Sequence, residues 1–164
     1  MANRESNWTN SDGLVVGFGT RDVETTGSAK VSLGGQRQQV VVDIYGPDLA
    51  DSDVAAQLVH AVTIPAGALL ESAKLVVKTA FAGATAVLDI GVYNASSGAA
   101  VDDDGVDAAV AVTAIDAAGD VIACDGALIG TVLANNSKIA ASYDTAAFTA
   151  GVAELVVEYV VPVS

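Results

Sequence analysis

The chain has 164 residues and a mass of 16.3 kDa, room for one domain with a sizeable core. Hydrophobic residues make up 52% and aromatic ones only 5%, so small branched side chains fill that core, and an unfolded, solvated chain is excluded. Twenty Asp and Glu against seven Lys and Arg leave a net charge of −13, which excludes nucleic-acid binding, with its need for clustered cations, and repels anionic membranes.

Charge divides the chain. Residues 1–40 balance Arg4, Arg21, Lys30 and Arg37 against Glu5, Asp12, Asp22 and Glu24, so residues 41–164 carry the entire −13. The first forty residues are also rich in glycine (Gly13, Gly17, Gly19, Gly27, Gly34, Gly35), with only Leu14-Val15-Val16 and Val31-Ser32-Leu33 to bury. This predicts an extended N-terminal arm over residues 1–37, ordered by what it lies against, ahead of a β-sandwich domain over 38–164. A frayed terminus with one edge strand is the plainer alternative. Met1–Asn7 carries no apolar signal core, so the expectation is synthesis and retention in a cytosol.

From residue 38 the pattern turns to β. Gln38–Tyr45 is a β-branched run stopped by Gly46-Pro47, and Leu58–Ile64 ends at the turn Pro65-Ala66-Gly67. Leu75, Val77, Thr79 and Phe81 then share one face, with Lys74 and Lys78 on the other. Ala82-Gly83-Ala84 permits a reversal into Thr85–Tyr93, where Leu88, Ile90 and Val92 oppose Asp89 and Gly91. Asn135-Asn136, tolerant of positive φ, predicts a hairpin joining Leu128–Leu133 to Lys138–Tyr143. Leu155, Val157, Tyr159 and Val161 alternate with Glu154 and Glu158 before Pro162 ends the last strand. Two stretches stay open between helix and strand: Asp53–Val59 and Asp107–Ile115. The class is all-β, an antiparallel sandwich of jelly-roll type.

Catalysis finds little to work with. His60 shares a face with Leu58, Val62 and Ile64 and has no nucleophile nearby, which fits a packed histidine. Cys124 stands alone, so neither an intrachain disulfide nor a Cys-based zinc site can form, and Asp125 beside it disfavours a thiolate. Asp102-Asp103-Asp104-Gly105-Val106-Asp107 reads as a solvated acidic turn. A weak site for a hard cation is the alternative, but the spacing is not that of an EF-hand. No phosphate loop is present, so the reading is a non-enzyme without cofactor or metal.

Arg4-Glu5-Ser6-Asn7-Trp8-Thr9-Asn10-Ser11-Asp12-Gly13-Leu14-Val15-Val16-Gly17-Phe18-Gly19-Thr20 resembles the opening of small proteins that decorate or cement the heads of tailed bacteriophages. Ile64–Val77 and Ala86–Tyr93 look like the β-sandwich body of the same group, so the resemblance covers about half of the chain. It implies a virion protein on the capsid exterior, made in the host cytoplasm. Its partners would be the major capsid protein and further copies of itself, in a homo-oligomer expected to be a trimer. Arg4, Trp8, Arg21, Lys30 and Arg37 are then the candidate capsid contacts, with Trp8 as anchor. The alternative on the same fold is a host-recognition or adhesin module on a head or tail fibre.

Overall fold

Val40, Val42 and Ile44 are buried while Val41, Asp43 and Tyr45 between them are exposed, the period-two signature of a strand with one packed face. In the computed structural model this run is β5 (Arg37–Tyr45), ended by a short 3-10 turn at Gly46–Asp48 that Pro47 opens. The structure describes residues 37–51 and 63–161 with their side chains, and 6–9, 15–18, 23–24 and 30–31 as backbone strands. The chain divides into two units, Met1–Gly35 and Gln36–Ser164. In the first, β1 (Ser6–Thr9) pairs antiparallel with β2 (Val15–Phe18), and β3 (Val23–Glu24) with β4 (Lys30–Val31).

The second unit continues from β5 through β6 (Thr63–Ile64), β7 (Leu69–Ala82), β8 (Val87–Asn94) and β9 (Ala100–Ala111) to β10 (Val121–Ala123), β11 (Ser137–Asp144) and β12 (Ala150–Val160). One sheet has the order β10-β7-β12-β5 and the other β6-β11-β8-β9, all neighbours antiparallel. The pairs β5·β12, β6·β11, β7·β10 and β8·β9 nest like one long hairpin. Rolling that hairpin brings β7 against β12 and β8 against β11. This is the eight-stranded double-sheet jelly roll, and it bears out the expected class.

Between the sheets lies a core of Ile64, Leu70, Leu75, Leu88, Ile90, Ile139 and Leu155, all essentially without solvent contact. Each such side chain contributes about 1.5–3 kcal/mol on burial. With few rings available, aromatic packing is concentrated in one place: Phe81 and Phe148 meet edge to face at 5.2 Å and 81°. Gly151, at φ 134°, makes room for them, since a Cβ there would overlap the Phe81 ring.

Several expectations need correction. Leu128–Leu133 is a turn rather than the first arm of a hairpin. Gly130 takes φ 82° and breaks the run, and the segment clings to the start of β7 through Gly130 N–H to the Leu70 carbonyl (2.7 Å) and Leu133 N–H to the Ala68 carbonyl (2.8 Å). Neither Asn135 nor Asn136 uses positive φ; Asn136 Oδ1 instead accepts the Ala66 N–H at 2.9 Å and fastens the turn before β7. Thr79 is exposed, not inward, because the β7–β12 register slips between Val77 and Thr79. Asp107–Ile115 resolves as strand to Ala111 followed by a 3-10 turn. His60, Asp53–Val59, all but the last two residues of Leu58–Ile64, and Pro162 lie outside the described residues.

Candidate functional site

The acidic tract is strand, not turn, and its irregularity gives it its shape. Asp107 pairs with Ile90 and Asp102 with Val92, so the six residues Asp102–Asp107 of β9 stand against the three residues Ile90–Val92 of β8. The surplus leaves the ladder as a bulge. Val106 turns inward and is fully buried, and the bulge is fixed from behind by Gly126 N–H to the Val106 carbonyl (2.9 Å) and Leu128 N–H to the Gly105 carbonyl (2.8 Å). On the outer side the Asp103 backbone lies against Gly91 of β8, where a Cβ would overlap it. A second bulge follows at Ala109, in the left-handed region at φ 54°, whose N–H donates to Asp89 Oδ1 at 2.8 Å.

This folding gathers carboxylates on one sheet face. Oxygens of Asp102, Asp103 and Asp104 lie within 4.8 Å of one another. The carboxyl of Asp102 is raised above its ordinary value by its hydrogen bond to Asp104 and then by burial. Burial raises Asp89 as well, opposed by the Ala109 N–H and reinforced by Asp144, Asp104 and Asp103. Tyr93, buried on the same outer face, is pushed up by desolvation and by Asp103 and Asp89, with the neighbouring Ser142 hydroxyl working against it. Three oxygens are fewer than the six to eight that a calcium ion takes, so water would complete any shell built here. The arrangement is that of a hydrated, strongly anionic surface.

Behind the bulge, Asp107 is 5% exposed and its Oδ2 has no hydrogen-bond partner among the described residues. Burial raises its carboxyl, against the lowering effect of the Cys124 thiol beside it. Cys124 in turn is pushed up to about 12, by burial first and then by Asp107. At neutral pH it is a thiol, and the thiolate is the nucleophilic form. On the outer face of the other sheet the Ser72 hydroxyl donates to Glu158 Oε2 at 3.0 Å.

Of the residues expected at a capsid contact, Arg37 opens β5 and pairs with Glu71, Nε to Oε2 at 2.7 Å and Nη2 to Oε1 at 3.0 Å, while remaining 63% exposed. Trp8 stands in β1 across from Val16, and Lys30 in β4 across from Glu24. Arg4 and Arg21 lie outside the described residues. Arg37 thus belongs to the sandwich unit, and Trp8 and Lys30 to the first unit.

Sequence reasoning missed the outer face of the β5 sheet. Rows across it read Val41, Val156, Lys74, Ala123 and then Asp43, Glu154, Val76, Val121. Val41 is 50% exposed and Val121 57%. The signal was present in Val40-Val41-Val42, where three valines in succession serve both faces.

No family model matches the chain, and no curated protein matches it in sequence. Two solved structures share its fold. A chain in "Capsid of Ralstonia phage GP4" is 18% identical with a TM-score of 0.52, over 79% of this chain and 87% of that one. A chain in "Cyanophage Pam1 capsid asymmetric unit" is 17% identical with a TM-score of 0.53, over 85% of this chain and 94% of that one.

Proposed function

We propose that this chain is a structural component of a tailed-bacteriophage virion that binds the outer surface of the capsid and stabilises it. The observation that carries the reading is the jelly roll shared with chains from two phage capsids, matched over most of both partners. The division of charge supplies the mode of attachment. A neutral N-terminal arm grips the shell through Arg4, Trp8, Arg21 and Lys30, joined by Arg37 at the start of β5, and the acidic sandwich faces outward. Arg and aromatic side chains are suited to such contacts. Assembly as a trimer with the major capsid protein as partner lets several weak contacts act together.

The test is co-sedimentation with heads of the phage that encodes the chain. The full chain saturates the heads, and removal of residues 1–30 abolishes binding while the sandwich keeps its β circular-dichroism spectrum. A truncated chain that still saturates the heads contradicts the arm. Binding to host cells in the absence of heads would favour the adhesin role instead.

A further inference from the structure

Two four-stranded sheets have four outer strands, and proteins close such edges to unwanted pairing by shortness, bulges, proline or charge. Here three edges carry such devices. β10 has three residues and β6 has two. β9 has twelve, but bulges interrupt it and Asp102, Asp103 and Asp104 would confront their own copies in a self-pairing centred on them. β5 is neither short, bulged nor interrupted by proline, and its two charges, Arg37 and Asp43, are of opposite sign. It runs nine residues in unbroken register with β12, contains neither proline nor lysine, and no described strand lies beyond it.

We propose that β5 pairs with β5 of a second copy of this chain, antiparallel about a two-fold axis at Val41, joining two sheets edge to edge. Matching packed face to packed face requires residues of like parity to stand opposite each other. With Val41 at the axis, Val41 meets Val41 of the second copy, Gln39 meets Asp43, and Arg37 meets Tyr45. No like charges are opposed, and the half-exposed Val41 gains an apolar neighbour. One position to either side puts Val40 or Val42 at the axis and offers no such central contact for Val41. The contact is isologous. It is therefore separate from any three-fold closure, and it holds whether or not the chain binds capsids, because it concerns the isolated chain in solution. Since each copy carries −13, added salt strengthens it by screening.

Disulfide trapping reads the register directly. Facing Cα atoms in an antiparallel pair are about 4.5–5.5 Å apart, within disulfide reach. Val41→Cys should cross-link under mild oxidation into a band of twice the chain mass. Gln39→Cys should not, because its copy lies four residues away along the strand, about 13 Å. Cys124 is buried and does not compete. By light scattering, Val41→Lys should halve the mass of the species seen at even multiples of 16.3 kDa, and mixing it with Val41→Glu should restore that mass. Cross-linking of Val41→Cys no faster than of Gln39→Cys, or an unchanged mass for Val41→Lys, overturns the proposal.

Discussion

Asp107 and Gly91 show how much single positions settle in this sandwich. A carboxyl raised in the native state means that the folded chain holds protons the unfolded chain has released. Stability from Asp107, Asp89 and Asp102 is therefore fully present below the ordinary carboxylate value of 3.8 and is lost as pH rises through their native values. These groups should accordingly lower the midpoint of thermal unfolding as pH rises from below 3.8 to 7, and Asp107→Asn should raise the pH 7 midpoint and flatten the dependence. The same substitution removes one of the causes holding Cys124 near 12, so titration of thiolate absorbance should show a lower thiol pKa. Gly91→Ala drives a methyl into the Asp103 backbone and should lower stability by about 1–3 kcal/mol in urea denaturation. Arg37→Ala, by contrast, removes an exposed ion pair and should cost less than about 1 kcal/mol. If Arg37 touches the shell, the same variant weakens head binding while the fold stays intact.

Alternation made β5, β8 and β12 legible, because one wet and one packed face leave a period of two in the sequence. Leu155 and Val156 carry the consequence. Leu155→Ala should cost about 2–5 kcal/mol, while Val156→Ala on the outer face should cost a small fraction of that. Where the pattern misled, a non-local cause prevailed. Leu128–Leu133 has a strand's composition, yet Gly130 and the hydrogen bonds to Leu70 and Ala68 make it a clamp on β7. Asp102–Asp107 has a turn's composition, yet pairing with β8 stretches it into a bulged strand. The candidate site was visible as a run of carboxylates. Its conformation depended on Gly91, ten residues and more away, and on Gly126, whose small size no local window relates to Val106.

At the level of the molecule, pairing across the whole chain builds the jelly roll: β5 at the start of the sandwich meets β12 at its end. Composition foretold the class but not this nesting, which only long-range register discloses. The same architecture separates an acidic bulged edge at β9 from a regular edge at β5, beyond which no described strand lies. Whether the chain attaches to the capsid is decided by a reconstruction of DNA-filled particles from the encoding phage. Sandwich density is expected on the shell exterior in fixed ratio to the capsid subunits, with the residues that precede β5 lying along the shell. Particles that lack the chain, or that hold it with those residues away from every capsid subunit, would contradict this attachment.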